Sequence, residues 1–586
     1  MTRATISIVL AVRGPVITKA SSIGGFGVDA LMAKGKFVHK ATGAVEDRYC
    51  LPGRLIKGLL REAWQELSTV DPLYAGYISR WLGSESITRE EPLRGSMIFG
   101  DFVDPNTDTK ALRSPRYRIQ IDEARGAADG QMLQVMESPY APGQRVEFEG
   151  EVRCILSDEA DIGTLHNALR RGLLWIRAVG GTRTSGFGQV LDVILKDSHS
   201  PFGAAKAELQ VPRWQVRFSF REPLILSKRR IADNFFESDE SISGGALRGA
   251  IAEMMKREPG TFVDLQNELH LVRCTHAFPA EREKPRPAHW PLSLLNFGKD
   301  EIVDAIRHQQ PYARKDEAGR FDIDWKDDVA KTVRTAFGWP QLPKDLRVRT
   351  AIDSTRRRAA DEKLFAWQMI VPHHMEWIAT IETSALSAAA RTQLEQLFRF
   401  GIEPLGKTKA LADAVISPAP PVELRRAPAY AVTLQTPTLL INPDRNLAPR
   451  GHIGARTESV LQREFELVWD ELSNGSLVLM NYFQRSHLAG GEYFWRRFSQ
   501  ARGTYKPYLL SSPGSTFLLK PSPGKEEEAL ALAVSWITNG LPLSDGVRTF
   551  YGVPEDAKVQ WEHCPYIPQN GYGEVTVNHQ GPYPEA

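Results

Sequence analysis

The chain has 586 residues, which is too many for one hydrophobic core and predicts roughly three or four domains. Hydrophobic residues make up 42% of the chain and charged residues 25%, which is ordinary globular composition and excludes a mainly disordered protein. The net charge is only +2, because 73 Lys and Arg residues nearly balance 71 Asp and Glu residues, so any basic surface has to be local.

The four cysteines are widely separated and form no Cys-x-x-Cys pair. This spacing predicts individually buried, reduced thiols in a cytoplasmic protein, and neither a zinc site nor a disulfide framework. The apolar run at the N-terminus is too short to span a membrane, so we interpret it as a strand and expect no membrane partner. The cysteines are Cys50, Cys154, Cys274 and Cys564.

The first elements are predicted by hydrophobic periodicity. Residues 4–12 alternate as in a half-buried strand, residues 13–17 form a turn into a second extended piece, and a glycine-bearing loop follows. Pro52-Gly53 interrupts the preceding extended segment, and apolar residues at Leu55, Leu59 and Leu60 then follow at helical spacing. The sequence therefore predicts a strand, a loop and a helix in that order.

The same order recurs after residue 212. Residues 214–220 alternate as a strand, residues 221–225 parallel 13–17, and residues 242–251 parallel the segment that starts at residue 51. The shared helix-start pattern is Gly-x-Leu-x-basic-Gly, with the basic residue shifted by one place between the two copies. We align Gly53, Leu55, Lys57 and Gly58 with Gly245, Leu247, Arg248 and Gly249.

Glycine-rich turns precede a strand at residues 180–190, 401–410 and 570–577. Three such turns at the ends of segments of comparable size predict repeated domains, which we place at 1–200, 212–416 and 428–580. Small and polar residues at 198–211 and prolines at 417–421 indicate linkers. Alternating strand and helix signals favour an α+β ferredoxin-like fold over a Rossmann sheet.

Taken in order, the strand, the glycine-bearing loop, the Pro-Gly-x-Leu-x-x-Gly helix start and the terminal turn resemble the RAMP superfamily of CRISPR effector subunits. Residues 21–61 resemble the repeating, target-cleaving backbone subunit of type III complexes. Residues 212–578 resemble the large tandem RAMP subunit of subtype III-D. The resemblance implies tandem ferredoxin-like (RRM-like) RAMP modules that bind guide RNA (crRNA) and single-stranded target RNA, beside other type III effector subunits including the large signalling subunit.

The backbone subunit carries its target-cleaving aspartate in the glycine-bearing loop, and the resemblance therefore implies a catalytic role for Asp29. RNA can be cleaved by attack of its own 2′-hydroxyl, so the protein has to splay the backbone and supply a carboxylate that takes a proton or holds a divalent ion such as Mg²⁺. Without the resemblance, a lone loop aspartate is more typical of a turn. Asp233 occupies the analogous loop of the second unit.

Glycine-rich turns and helix starts suit an RNA backbone because glycine lets successive N–H groups converge on a phosphate. The same turns also fit tight hairpins and ordinary helix starts. The residues predicted to contact RNA are Gly53, Arg54, Lys57, Gly180, Gly181, Thr182, Arg183, Thr184, Ser185, Gly186, Gly188, Arg248, Gly406, Lys407, Lys409, Gly571 and Gly573.

Three alternatives stay open. In the first alternative the chain is a non-catalytic RNA-binding scaffold. In the second it is a guide-processing endoribonuclease that uses His579 near the last glycine turn. The third alternative is ATP hydrolysis, because the residues from Gly401 to Thr408 formally match a phosphate-binding loop. Glu403 and Pro404 inside that loop argue against it, and we expect no nucleotide cofactor.

Overall fold

The computed structural model describes most of the chain, and every structural statement below concerns those residues. The residues outside the description are 19–27, 39–44, 84–94, 108, 110–114, 120, 123, 129–132, 204–208, 227, 233, 259, 298–300, 308–312, 315–316, 319–327, 354–357, 446–456, 492–493, 495–496, 499–505, 580 and 584–586.

The chain is a mixed α+β protein with several antiparallel sheets. It folds as two compact units. The first unit contains Met1–Lys206, Phe220–Ser238 and Pro343–His373. The second contains Ala207–Ser219, Asp239–Leu342 and His374–Ala586.

The elements before residue 212 belong to the first unit. The strands are β1 (Thr2–Arg13), β2 (Lys34–Val38), β3 (Val45–Leu51), β4 (Met97–Phe99), β5 (Phe102–Val103), β6 (Arg116–Arg118), β7 (Ile121–Asp122), β8 (Ala127–Ala128), β9 (Gln134–Met136), β10 (Arg145–Leu156) and β11 (Gln189–Pro201). The helices are α1 (Gly53–Leu67), α2 (Leu73–Tyr77) and α3 (Asp161–Trp175), with a short π-helix at Ile78–Leu82 and a 3₁₀ turn at Arg183–Ser185.

The middle part of the chain contributes to both units. Its strands are β12 (Arg213–Ser219), β13 (Lys228–Ala232), β14 (Phe235–Ser238), β15 (Arg273–Cys274), β16 (Phe278–Glu281), β17 (Leu294–Asn296), β18 (Ile302–Asp304), β19 (Ala313–Arg314), β20 (Glu317–Ala318), β21 (Lys344–Asp353), β22 (Arg358–Ile370), β23 (Met375–Glu382), β24 (Ile402–Leu405) and β25 (Ala410–Pro418). Its helices are α4 (Gly244–Met255), α5 (Val263–Glu268), α6 (Asp328–Ala336) and α7 (Ala388–Phe400), with a 3₁₀ turn at Leu269–Leu271.

The last part of the chain lies in the second unit. Its strands are β26 (Tyr430–Leu434), β27 (Leu477–Phe483), β28 (Ser486–Ala489), β29 (Tyr508–Ser511), β30 (Thr516–Pro521) and β31 (Val575–Val577). Its helices are α8 (Thr457–Ser473), α9 (Glu526–Asn539), α10 (Asp545–Tyr551) and α11 (Gln560–His563), with a 3₁₀ turn at Pro568–Asn570.

One strand order occurs three times. In each copy the first strand lies between the third and the fourth, the second strand pairs with the third, and a helix follows the first strand and the third. The copies use β1, β5, β10 and β11 with α1 and α3; β12, β15, β23 and β25 with α4 and α7; and β26, β27, β30 and β31 with α8 and α9. The same order of strands and helices therefore recurs along the described part of the chain.

Strand β1 lies between β10 and β11 in the first sheet and pairs with both of them along its whole length. Its residues alternate between buried and less buried over most of the strand, as the sequence predicted. The partner strand β11 continues to Pro201, so the predicted linker at 198–211 begins too early. The first residues of the predicted linker, 198–201, pair with β1 in the sheet. The polar composition of the segment does not reveal this pairing.

Helices α1 and α3 pack against each other through the Trp64 indole. Trp64 is fully buried and donates from Nε1 to the carbonyl of Ala168 at 3.1 Å. A Cβ added to Gly172 on α3 would lie 2.3 Å from the same indole nitrogen, so this glycine allows the two helices to approach closely. The position of α1 is thus fixed from its buried side.

A buried ion pair joins two parts of the first unit. Arg153 on β10 has no exposed surface, and its Nε donates to Oε1 of Glu222 at 3.1 Å. Burial raises the pKa of the Glu222 carboxyl, and the Arg153 guanidinium opposes that rise. The pair joins the segment before β13 to the first sheet. Separating the two partners would leave a buried charge without compensation, which is unfavourable, so the contact anchors that segment.

All four cysteines are buried and free, as their spacing predicted. Burial raises the pKa of the Cys274 thiol to about 12. In the part of the chain that the structure describes, no helix is long and apolar enough to cross a membrane.

Candidate nucleic-acid interface

Helix α1 begins at Gly53, as the sequence predicted. The N–H group of its first residue already has a hydrogen-bond partner within the chain. A Cβ on Gly53 would lie 2.3 Å from the carbonyl oxygen of Gly100, so only glycine fits this helix start. The Gly53 N–H donates to Oδ1 of Asp101 at 2.9 Å, and Arg347 donates to the other oxygen of the same carboxylate at 2.7 Å. The Gly53 N–H therefore serves a helix cap in this conformation rather than a phosphate.

The exposed side of α1 carries Arg54, Gly58 and Glu62, which are spaced by four residues and lie on one face. Arg54 reaches the carbonyl of Val348 with one guanidinium nitrogen at 3.3 Å. A Cβ added to Gly58 would meet nothing within 4 Å. Packing within the chain therefore does not require a glycine there, although glycine inside a helix costs about 0.5–1 kcal/mol relative to alanine.

Arg183, from the first glycine-rich turn, lies against this face of α1. Its guanidinium is 3.8 Å from the Glu62 carboxylate, and both side chains are about half exposed, at 46% and 47%. The structure thus brings together two motifs that are more than a hundred residues apart in the sequence. Lys57, half-buried, lies one residue before Gly58 on the same helix.

The base of the first turn is fixed by backbone contacts. The N–H groups of Gly181 and Gly188 donate to the carbonyls of Ile17 and Pro15, each at 2.8 Å. Gly188 has φ 69°, and a Cβ there would lie 2.0 Å from the carbonyl oxygen of Val179. The fold itself therefore requires glycine at position 188, and the N–H groups of both residues are not available to a ligand.

The apex of the first turn faces solvent. Residues 183–186 are all exposed, and Gly186 adopts φ 81° with no atom within 4 Å of an added Cβ. Thr182 also has a left-handed backbone, at φ 53°, and Gly180 at φ 88° approaches the Ile17 carbonyl. The predicted RNA contacts of this turn thus divide into a structural base and an accessible apex of Arg183, Thr184, Ser185 and Gly186.

The second helix start, in α4, matches the first without the shift that the sequence alignment assumed. Gly244 is the first residue of α4, so it corresponds to Gly53, and Arg248 then aligns with Lys57 and Gly249 with Gly58. The buried faces agree with this alignment, since Ile56 and Leu247 are both fully buried. Two adjacent glycines, Gly244 and Gly245, made the sequence alignment ambiguous by one position.

Arg248 does not belong to an exposed surface. The residue is only 8% exposed. Its Nη1 donates to Oδ1 of Asn570 at 2.6 Å, and its Nη2 donates to the Leu269 carbonyl at 3.2 Å. Burial lowers the pKa of this guanidinium. The predicted RNA contact at Arg248 is therefore replaced by contacts within the second unit.

The last glycine-rich turn is likewise buried within the second unit. A Cβ on Gly571 would lie 2.5 Å from the Cys274 carbonyl oxygen, and the Gly573 carbonyl accepts from the Leu541 N–H at 2.7 Å. Next to it, the Glu574 carboxylate accepts hydrogen bonds from both terminal nitrogens of Arg286, at 2.8 and 2.9 Å. Gly571 and Gly573 therefore shape an internal seam rather than a binding surface.

The middle turn is a hairpin between β24 and β25, with Lys407 and Lys409 exposed and Gly406 partly buried. Helix α7 ends immediately before β24, whereas a nucleotide-binding loop follows a strand and opens a helix. Glu403 is fully buried and pairs with Arg257 at 2.6 Å. This segment lacks the geometry of a phosphate-binding loop.

Asp29 is exposed, and it is held by Val135 of strand β9. Its backbone N–H donates to the Val135 carbonyl at 2.8 Å, and its Oδ2 accepts from the Val135 N–H at 2.6 Å. The glycines at 24–27 and Asp233 lie outside the described residues. Of the two aspartates predicted for catalysis, the structure thus describes only Asp29.

The donor set at Asp29 does not by itself form a resident metal site. Mg²⁺ in proteins usually takes one or two carboxylates together with water and substrate phosphates. The described residues contain no group of three His, Cys, Asp or Glu side chains arranged to hold a metal ion. A divalent ion at Asp29 would need phosphate oxygens of a ligand as further ligands.

Sequence reasoning missed the residues that fix these sites. Asp101 caps α1 from 48 residues away, and Arg347 reaches it from 246 residues further on. Glu137, in the segment after β9, accepts from the Met32 N–H at 2.8 Å and from the Tyr49 hydroxyl at 2.7 Å. No periodicity or motif marks these residues, because each acts through a contact that only the folded chain creates.

No protein-family model matches this chain, and no curated protein matches it either. Among solved structures, a chain of the type III-B Cmr-β complex bound to cognate target RNA and AMPPnP has a TM-score of 0.28 and 12% identity, covering 52% of this chain and 86% of that one. The same complex bound to cognate target RNA gives the same values. A chain of a type IV-B CRISPR complex has a TM-score of 0.21 and 13% identity, covering 36% of this chain and 95% of that one. At TM-scores this low, neither likeness assigns a function to this chain.

Proposed function

We propose that this chain is a guide-RNA-binding subunit of a type III CRISPR effector complex and that its first unit cleaves target RNA through Asp29. In this proposal the three copies of one strand order are ferredoxin-like RAMP modules at 1–200, 212–416 and 428–580. The order of strands and helices in each copy supports that interpretation. Guide RNA, target RNA and other effector subunits are the proposed partners.

The observation that carries the proposal is the meeting of the first glycine-rich turn with the exposed face of α1. Arg183 supplies a guanidinium there, and Arg54 supplies a second on the same helix face that bears the open position at Gly58. Arginine binds phosphate through planar, paired donors, and glycine lets a sugar–phosphate backbone approach the helix closely. The exposed hydroxyl residues Thr184 and Ser185 add donors of the type that contact phosphate.

Cleavage by Asp29 requires little of the protein. The carboxylate is exposed, and the Val135 N–H holds one of its oxygens. A carboxylate fixed in this way can accept the proton of a 2′-hydroxyl while that oxygen attacks the adjacent phosphorus and the 5′-oxygen leaves. Sequence specificity comes from pairing between guide and target, because the protein contacts the backbone and the shape of the duplex.

The test is a cleavage assay with the assembled complex, a labelled target RNA complementary to the guide, and Mg²⁺. Asp29→Ala should abolish the cut that faces the first unit while guide and target bind with near wild-type affinity, because the carboxylate acts in the transition state and its charge opposes RNA binding. Asp233→Ala is the matched control for a second cut site. If Asp29→Ala leaves every product and its rate unchanged, the first unit is a scaffold.

A guide-processing enzyme is less well supported by the geometry. That function requires an accessible acid–base pair near the last glycine-rich turn, whereas Gly571 is buried and Tyr572 packs edge-on against the buried His276 ring at 4.7 Å. Burial raises the pKa of the Tyr572 hydroxyl, which disfavours its ionisation. His579 lies beside the Phe337 ring, at 6.1 Å between centroids.

A further inference from the structure

The segment that bears Asp29 is clamped between two parts of the first unit. On one side, the Ala30 carbonyl accepts from the Glu137 N–H at 2.9 Å, next to the paired contacts of Asp29 with Val135. On the other side, the Ala33 N–H donates to the Thr18 carbonyl at 2.6 Å. Asp29 itself is exposed, so its position depends on how firmly this segment is held.

Glu137 connects the clamp through its side chain. One carboxylate oxygen accepts from the backbone N–H of Met32, at 2.8 Å, and the other accepts from the hydroxyl of Tyr49 on β3, at 2.7 Å. Met32 is 1% exposed and Tyr49 is fully buried, so water does not readily replace either bond. One carboxylate thereby ties the Asp29 segment to β3 and to the chain that follows β9.

The Tyr49 side of this contact is itself rigid. The Tyr49 ring packs edge-on against Tyr140, with 6.0 Å between centroids, and the Tyr140 hydroxyl donates to Oδ2 of Asp104 at 3.0 Å. The Asp104 N–H donates in turn to the Tyr49 carbonyl at 2.9 Å. A buried and fully engaged network of this kind holds the Tyr49 hydroxyl in one place.

We infer that Glu137 is the positioning residue of the Asp29 site, holding the Asp29 segment at the distance and angle that cleavage requires. This inference rests on the proposed cleavage by Asp29 for its consequence, but the clamp itself is a property of the fold. Glu137 touches neither substrate nor reacting atoms in this role. It acts through the Met32 N–H, three residues along the chain from Asp29.

Three variants test the inference. Glu137→Ala removes both acceptors, Tyr49→Phe removes one donor and keeps the ring, and Glu137→Gln keeps an oxygen for Met32 and can donate to the Tyr49 oxygen. Glu147→Ala is the matched control, because this glutamate on β10 is 46% exposed and pairs only with the half-exposed Arg145 among the contacts seen here. Each variant is assayed in the assembled complex for first-turnover cleavage, target affinity and hydrogen exchange of the peptide containing residues 28–33.

We expect Glu137→Ala to slow the cleavage step roughly tenfold to a hundredfold, because small misplacements of a catalytic group have effects of that size. Exchange of the 28–33 amides should accelerate and the thermal midpoint should fall by a few degrees, because each buried donor loses its acceptor, whereas target affinity should change little. Glu137→Gln should restore most of the rate and Glu147→Ala should behave as wild type. A general loss of structure would instead lower the thermal midpoint and the RNA affinity together, which would overturn the inference.

The failures of the two proposals are distinguishable. If wild-type protein does not cleave and Glu137→Ala still accelerates exchange at 28–33, the clamp stands and the cleavage function fails. If wild-type protein cleaves and Glu137→Ala changes neither the rate nor the exchange, Glu137 is not a positioning residue and the cleavage function stands.

Discussion

The first and last glycine-rich turns of this chain have the same sequence character and opposite surroundings. The first turn presents an exposed apex with Arg183 beside α1, whereas the last turn is packed against the start of α4 and the strand β15. The helix starts differ in the same way, because Arg54 is exposed on α1 while Arg248 is buried on α4. A glycine-rich turn is thus a shape that either a ligand or another part of the chain can fill, and its neighbours decide which.

The largest expected effect tests the structural role of the last turn. Glu574→Ala should lower the free energy of unfolding by about 3–5 kcal/mol, because it leaves the Arg286 guanidinium buried without its carboxylate. Glu62→Ala, which removes the exposed partner of Arg183, should cost about 0–1 kcal/mol. Chemical denaturation of both variants measures the difference. Equal effects would show that the last turn is not an internal seam.

The second prediction concerns two buried histidines of the second unit. Burial, together with the nearby Arg286 charge, lowers the pKa of both His276 and His289 to about 3. Both histidines stay neutral in the fold but take up a proton when unfolded below about pH 6.5, so stability falls as the pH drops from 6.5 toward 3.

We expect a loss of about 1.5 kcal/mol per histidine between pH 6.5 and pH 5, measured by denaturation across that range. His289→Gln should remove one proton from the slope of stability against pH. A slope that is unchanged in this variant would contradict the assignment.

The third prediction concerns the first turn. Arg183→Ala combined with Lys57→Ala should weaken guide retention without altering the thermal midpoint, and it should lower the slope of log K against log salt by about 0.7 for each lost phosphate contact. Lys256→Ala is the matched control, since this lysine is exposed at the end of α4 and lies outside the proposed interface. Unchanged RNA occupancy in the double variant would count against the interface on α1.

The smallest effect is expected at Gly58. Gly58→Ala should stabilise the protein by about 0.5–1 kcal/mol, since alanine favours the helix and an added Cβ meets no atom of the chain. RNA affinity should nevertheless fall, because in the proposed interface the methyl group would stand where the RNA backbone approaches. Gly163→Ala on α3 has equal space around its Cβ and should leave RNA affinity unchanged. Equal RNA affinity in both variants would move the interface away from this face.

The sequence predicted the local elements of this fold better than the contacts between them. Hydrophobic periodicity located β1 and α1, because burial on one face of an element is written into its own residues, and the repeated helix-start pattern located α4. It could not show that Arg248 is buried, because the residue that covers it, Asn570, lies 322 positions away. The Asp29 site is similar: a loop aspartate was visible in the sequence, whereas its support by Val135 and Glu137 depends on tertiary structure.

Ultraviolet crosslinking of the guide-loaded protein, with the linked peptides identified by mass spectrometry, tests most directly whether RNA lies on the first unit as proposed. We predict crosslinks within residues 53–62 and 180–188 and none within 570–573. Crosslinks confined to residues 570–573, with residues 53–62 and 180–188 free of RNA, would contradict the account.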